Sequence, residues 1–283
     1  MQDEVFEQGS QEWLDIRKKS ITATDMSTIM GVNPWKTPFQ LFEEKLGYRS
    51  VEKNDAMREG TRLEPYARAK LQELFQLELN AAVCFHPQFK HHMASLDAID
   101  EKKMFLTEIK CSKKYHELAK AGTVPTHAIA QCQWQMHVTG ANGMYYYAFD
   151  GLSGILIPVE RNNEYIKLCI DRAEEFYQCL KSLEPPALTA RDIVQREDPE
   201  FLQSALNLKE ARAQRKYWEM LEKVAENQLK EMAGESCAEG GGVKITRYFR
   251  RGGIDFKEII EKHCPEVDVE QYRKKGDVSW RIT

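Results

Sequence analysis

Asp97, Glu108 and Lys110 have the types and spacing needed for metal-assisted chemistry on a phosphate. Ala94-Ser95-Leu96-Asp97-Ala98-Ile99 and Met104-Phe105-Leu106-Thr107-Glu108-Ile109-Lys110-Cys111 each read as a strand, joined by the polar stretch Asp100-Glu101-Lys102-Lys103. A two-residue hairpin centred on Glu101-Lys102 pairs Asp97 with Leu106. Side chains alternate along a strand, so Leu106, Glu108 and Lys110 share a face and Asp97 joins them. Asp97 and Glu108 are then diagonal neighbours, about 7–8 Å apart at the backbone, and their carboxylates can converge on one cation. Asp100 falls on the opposite face in this register, which makes Asp97 the better ligand candidate. Carboxylate oxygens suit hard cations such as Mg²⁺ and Mn²⁺. A cation held there neutralises and polarises a phosphate and makes water a better nucleophile. Lys110 can orient that water or stabilise developing negative charge. Glu-x-Lys alone is common on surface hairpins, so the weight rests on the matched position of Asp97 and on the rest of the chain.

With 283 residues, 42% of them hydrophobic, the chain can bury one substantial core and a smaller module. No apolar run approaches the length of a membrane span, and Met1-Gln2-Asp3-Glu4 does not open a signal peptide. Seven cysteines without regular spacing predict reduced thiols and a cytosolic setting. Cys84-Phe85-His86 and His91-His92 invite a zinc reading, but no Cys-x-x-Cys or His-x-x-x-His pairing supports it. The net charge of −4 argues weakly against a generic nucleic-acid coat. Basic residues nevertheless gather at Arg17-Lys18-Lys19, at Arg58, Arg62, Arg68 and Lys70, and around the candidate site at Lys102, Lys103, Lys113 and Lys114. A basic groove in an acidic protein can still hold a phosphate backbone.

These residues need elements to position them. Helices are predicted over 12–19, from Thr22–Met26 to Gly31, over 38–46 with Gly47 as stop, and over about 53–79. Pro65 is expected to kink the last of these or to start a new helix. After the two strands, Thr126–Thr139 reads as a helix carrying His127, Gln131, Gln133 and Gln135. A hairpin across Gly151 joins strands 144–149 and 154–159, and a long helix spans 163–183. This order implies an α/β sandwich around a mixed sheet. The double proline Pro185-Pro186 marks a change of character, giving an expected core of 1–186 and an appended module of 187–283. The module is predicted as a charged helix over 201–232, a flexible stretch over 234–242, and a hairpin from Val243–Phe249 turning at Gly252-Gly253. Arg247, Arg250 and Arg251 form its basic tip, followed by a short helix near 256–263 and a final strand over 278–282.

Six pieces occur in order: Trp13-Leu14-Asp15-Ile16-Arg17 with Ile21-Thr22-Ala23-Thr24; Gly31-Val32-Asn33-Pro34-Trp35-Lys36-Thr37-Pro38; Gly60-Thr61-Arg62-Leu63-Glu64-Pro65; Ser95-Leu96-Asp97; Glu108-Ile109-Lys110; and Ala130-Gln131-Cys132-Gln133. The series, over about residues 8–160, resembles the phage-type recombination exonucleases of the YqaJ and lambda exonuclease family within the PD-(D/E)XK nuclease fold. Each motif is weak alone; six in order are strong. The segments Tyr272–Gly276 and Trp280-Arg281-Ile282 look similar to tails of YqaJ-like proteins, with less specificity. The resemblance implies a PD-(D/E)XK core with a central mixed sheet between helices and an appended helical and hairpin module. It implies Asp97 and Glu108 as metal ligands with the Ile109 carbonyl as a third contact, and Lys110 positioning the attacking water. Glu64 would assist the metal or its water, and Gln131 would stand near the nucleophile. Arg17 and Thr24 would match the pair that holds the terminal 5′-phosphate. Thr24 stands where the lambda exonuclease branch of the family has serine, which keeps the hydroxyl and adds a methyl. Ala98 stands where many relatives have glycine.

Each carried-over residue also has a plainer reading. Glu64 could cap or solubilise a helix, Gln131 could lie on a surface, and Arg17 could pair with Asp15 or Glu12. Trp13 and Trp35 are read as packing, and His127, on the Gln131 face, as structural or peripheral. The expected function is a Mg²⁺-dependent (Mn²⁺ substituting) 5′→3′ exodeoxyribonuclease that resects linear duplex DNA to 3′ overhangs for recombination by single-strand annealing. The alternatives are a structure-specific or repair endonuclease on the same fold and a DNA-binding module that does not cut. The resemblance also suggests 5′-phosphorylated duplex ends as substrate, a single-strand annealing protein as partner, a ring-like homo-oligomer such as a trimer, and a bacterial host cytoplasm as location. The roles left open for the C-terminal module are gripping DNA, docking a partner and bracing an oligomer.

Overall fold

The computed structural model describes residues 10–264 except 51, 53, 101, 103 and 104, together with 266, 267 and 272. The expected final strand over 278–282 lies outside the described residues. The chain forms two compact units, dividing between Ile193 and Val194.

In the first unit the elements run α1 (Gln11–Lys19), β1 (Ile21–Thr22), α2 (Ala23–Ile29), α3 (Pro38–Lys45), α4 (Asp55–Phe75), β2 (Leu79–Phe85), β3 (His92–Asp100), β4 (Leu106–Cys111), α5 (Lys113–Lys120), α6 (Thr126–Thr139), β5 (Gly143–Phe149), β6 (Gly154–Glu160) and α7 (Asn163–Ser182). The sheet is mixed, in the order β1-β3-β4-β5-β6, with β2 also paired to β3. β1–β3 and β4–β5 are parallel; the other pairs are antiparallel. One sheet face packs on α2, α6 and α7 through Met26, Leu96, Leu106, Trp134, Tyr146, Ile166 and Phe176. The other is covered by Ala67 and Leu71 of α4, against Ala98, Phe105, Ile109, Tyr147 and Phe149. Burying both faces accounts for the nearly continuous apolar run of β5, Met144–Phe149.

Several expectations are corrected here. The helix expected to reach 79 ends at Phe75, with Gln76 in the left-handed conformation, and β2 (Leu79–Phe85) is a strand in a stretch to which no element was assigned. Pro65 neither stops α4 nor starts a new helix, since one helix runs from Asp55 to Phe75. α5 was not foreseen; Ser112 caps it by accepting the Tyr115 N–H. The β3–β4 connection is not a two-residue hairpin. Phe105 N–H donates to the Asp100 side chain at 2.7 Å and Asp100 N–H to the Phe105 carbonyl at 3.2 Å, so the pairing closes on Asp100 and Phe105.

The second unit holds α8 (Pro199–Ala233), β7 (Ala238–Gly240), β8 (Val243–Ile245) and α9 (Phe256–His263). No residue of α8 is buried. Its hairpin turns at Gly241-Gly242, not at Gly252-Gly253: Gly240 pairs with Val243, and both turn glycines have positive φ (58° and 80°), as a tight two-residue hairpin turn requires. Arg247, Arg250 and Arg251 are exposed but lie beyond β8, not at the hairpin tip.

Candidate active site

The site forms where β3 and β4 part. Their ladder has two pairs, Ala98↔Thr107 and Ile99↔Leu106. Continuing that register brings Asp97 opposite Glu108, so the two are direct rather than diagonal neighbours. The four-residue connection slides the pairing by two positions, which preserves the shared face. Beyond the last pair the Ile109 N–H donates to Asp97 Oδ2 at 2.8 Å. On its other edge β3 carries a bulge: between Asn80↔Ile99 and Ala82↔Leu96 it supplies one residue more than β2. A bulge re-aims side chains and is a common device beside functional sites.

Glu108 is fully buried. Lys110 Nζ contacts Glu108 Oε1, and also donates to Gln131 Oε1 at 3.2 Å. The other carboxylate oxygen, Glu108 Oε2, accepts from Gln135 Nε2 at 2.5 Å; the same Nε2 lies 3.2 Å from the Ser95 carbonyl oxygen. From the opposite side α4 supplies Glu64 and Arg68. Arg68 donates to Glu64 Oε1 at 2.6 Å and to the Asp97 carbonyl oxygen at 2.5 Å. Asp97, Glu108, Lys110 and Gln131 are thus brought together. Glu64 is tied to Asp97 through Arg68; among the described residues, no set of three carboxylates draws its ligand atoms within 4.8 Å of one another.

Burial and the neighbouring Glu108 push the Asp97 carboxyl well above the usual carboxylate range. Burial also raises Glu64, against the pull of Arg68. Burial works against the Lys110 ammonium, but Glu108 and Asp97 more than offset it and hold its pKa above that of an ordinary lysine. Lys110 is therefore a fixed cation, suited to orienting water or stabilising negative charge rather than to accepting a proton.

The residues present fit a hard divalent cation. Three carboxyl groups face two cationic side chains, Lys110 and Arg68, and burial together with the neighbouring Glu108 disfavours the Asp97 charge, a penalty that a bound cation would relieve. Asp97 and Glu108 are the carboxylates that could hold it.

Arg17 and Thr24 lie at a separate junction. Arg17 lies in the last turn of α1, its guanidinium 4.4 Å from the Trp13 ring centre, while Asp15 pairs with Lys18 at 3.5 Å. Thr24 is exposed in the first turn of α2, where Thr22 and Asp25 form a reciprocal cap. Lys45 locks this junction from α3: its Nζ lies 2.6 Å from the Arg17 carbonyl oxygen, 2.7 Å from that of Ser20 and 2.5 Å from Asp25 Oδ2. Burial opposes the Asp25 charge, but Lys45 and Arg17 outweigh it and hold the carboxyl below its usual range.

Two residues of the site were not assigned from sequence. Gln135 and Arg68 each lie four positions after a recognised residue, Gln131 and Glu64, so one helical turn along the same face was the available signal. Trp35, read as packing, is 63% exposed; its ring meets His127 edge-on at 5.1 Å, and His127 Nε2 lies 3.3 Å from the Tyr115 hydroxyl.

A mixed sheet between helices, with a carboxylate–lysine cluster at a strand divergence, places the first unit in an α/β fold also found in solved exonucleases. An alkaline exonuclease from Laribacter hongkongensis, LHK-Exo, is 25% identical with a TM-score of 0.54, covering 62% of this chain and 94% of that one. LHK-Exo in complex with dAMP gives the same TM-score and coverage at 24% identity. Residues 12–142 match the model of the YqaJ-like viral recombinase domain. The uncharacterized protein YqaJ of Bacillus subtilis (strain 168) is 27% identical over 179 residues, 60% of this chain. The match spans 56% of the length of that relative.

Proposed function

We propose that this chain is a metal-dependent 5′→3′ exodeoxyribonuclease that resects linear duplex DNA and leaves 3′ single strands for recombination. The observation that carries the reading is the convergence of Asp97, Glu108 and Lys110 at the β3–β4 divergence of a YqaJ-like domain. The reaction is in-line attack of water on phosphorus, with the 3′ oxygen leaving. Mg²⁺ (or Mn²⁺ in its place), held by Asp97, Glu108 and the Ile109 carbonyl with help from Glu64, would neutralise the phosphate and lower the pKa of water. Lys110, kept charged by Glu108 and steadied by Gln131, orients the water and meets developing charge on the phosphoryl oxygens. Gln135 and Arg68 position Glu108 and the Asp97 backbone. Arg17 and Thr24 anchor a terminal 5′-phosphate and so set polarity, and Lys45 holds their junction rigid. Digestion tolerates any sequence because recognition is by phosphate and shape.

Resemblance supports a ring-like homo-oligomer and a single-strand annealing partner as further elements of the proposal. Among the described residues no helix is long and apolar enough to cross a membrane.

The test compares linear and covalently closed duplex DNA, with Mg²⁺ or EDTA, using Lys110→Ala as control. The proposal expects Mg²⁺-dependent loss of linear duplex alone, absent in the variant. Cutting of closed circles would favour an endonuclease, and binding without cutting would overturn the enzymatic reading.

A further inference from the structure

The head of β3 holds a second cluster, built from nitrogen as well as oxygen. His91 and His92 are adjacent in sequence, yet both aim Nε2 at the same oxygen of Glu174 on α7, Oε1, at 2.7 and 2.9 Å. Among the described residues this is the group of His, Cys, Asp and Glu side chains whose ligand atoms all lie within 4.8 Å of one another. The rings are held in place. His92 is fully buried, with Nδ1 3.0 Å from His137 Nε2. His137 stacks on His86 at 4.5 Å, and His91 stacks on Tyr177 at 3.9 Å, one helical turn beyond Glu174. The lack of a Cys-x-x-Cys or His-x-x-x-His pattern spoke against zinc in the sequence. Here the third ligand comes from 82 residues away, beyond the reach of any local spacing rule.

We propose that His91 Nε2, His92 Nε2 and the Glu174 carboxylate form a site for a zinc-type transition-metal ion, a clamp between the head of β3 and α7. Two imidazoles and one carboxylate suit Zn²⁺ or Co²⁺ and leave a fourth position for water. His91 and Glu174 are only partly covered, so an ion can enter from solvent. On binding, the Glu174 oxygen and the two Nε2 atoms exchange their mutual hydrogen bonds for bonds to the ion. Each ring then carries its proton on Nδ1, and His92 Nδ1–H donates to His137 Nε2, the outer-shell contact that orients a metal-bound histidine. Asp97 lies five positions after His92, about 17 Å along β3. The ligand chemistry also differs: the nuclease centre offers oxygen to Mg²⁺, whereas this site offers imidazole nitrogen. The inference does not depend on the proposed nuclease activity.

The experiment adds Co²⁺ to chelator-treated full-length protein in excess Mg²⁺, which keeps the oxygen site occupied. The visible spectrum and the melting temperature are recorded for the wild type, His91→Asn, Glu174→Gln and Glu108→Gln. His92→Ala is avoided because its burial risks misfolding. One intense tetrahedral-type Co²⁺ band per chain is expected, displaced by one equivalent of Zn²⁺, with a Zn²⁺-induced rise in melting temperature. Glu108→Gln keeps the band, while His91→Asn and Glu174→Gln, folded by circular dichroism, lose it. A wild type without the band, or a band lost in Glu108→Gln and kept in Glu174→Gln, overturns the proposal.

Discussion

Gln135→Met tests whether the buried amide contributes to the chemistry or only to packing. Methionine has similar length and volume, so it fills the space Gln135 occupies on α6 while removing both donors. It strips one hydrogen bond from Glu108 Oε2 and one from the Ser95 carbonyl, and leaves the Lys110 contact to Oε1 in place. A hydrogen bond to a charged group is worth about 1.5–3 kcal/mol. If that energy is spent holding Glu108 in its reactive position, turnover falls about 10- to 100-fold, at about 1.4 kcal/mol per decade. Losses on outer-shell substitution at metal centres are of the same size, about 10- to 100-fold. The assay is the initial rate of linear duplex digestion across a Mg²⁺ titration, paired with melting in EDTA. The expected result is a lower rate and a higher Mg²⁺ midpoint. A variant that melts lower but cuts at the wild-type rate with an unchanged Mg²⁺ midpoint would refute the reasoning and make Gln135 a packing residue.

Asp97→Asn should abolish cutting and, in EDTA at neutral pH, melt above the wild type. Asp97 has a raised pKa in the folded state, so its ionisation costs stability as pH rises from the ordinary carboxylate range through the folded value. The advantage of the variant should vanish in acid; a lower melting temperature at neutral pH would contradict this. Lys110→Met should cost about 10²–10³-fold or more in rate, as loss of a donor aimed at developing charge does, while still binding DNA in a filter or anisotropy assay. Arg17→Ala should lower digestion of 5′-phosphorylated ends to the 5′-hydroxyl rate, measured on matched duplexes; an unchanged ratio removes Arg17 from the anchor. Lys45→Met leaves buried Asp25 without its partner and should cost about 3–5 kcal/mol in denaturant unfolding.

The convergence of Asp97, Glu108 and Lys110 was legible because the pattern that sets it is local. Asp97, Glu108 and Lys110 sit on apolar strands whose alternation sets their common face, and that face survived an error of two residues in register because the strand period is two. The register itself was not legible: it depends on Asp100 capping the loop through the Phe105 N–H, a contact specific to the turn. β2 was missed because Leu79-Asn80-Ala81-Ala82-Val83-Cys84-Phe85 has little β-branched character and follows a strong helix directly. The C-terminal hairpin was misplaced because Gly240-Gly241-Gly242 was read as a flexible stretch, whereas two of those glycines make its turn. Gln135 and Arg68 act on partners 27 and 29 residues away. Helical spacing marked their faces but could not name their partners.

The most direct measurement is digestion of a linear duplex labelled separately at each 5′ and 3′ end. It is run with 5′-phosphate or 5′-hydroxyl, with Mg²⁺ or EDTA, and with Lys110→Ala beside the wild type. The account predicts Mg²⁺-dependent loss from 5′-phosphorylated ends that the variant lacks. Cutting that persists in EDTA or in the Lys110→Ala protein would contradict it.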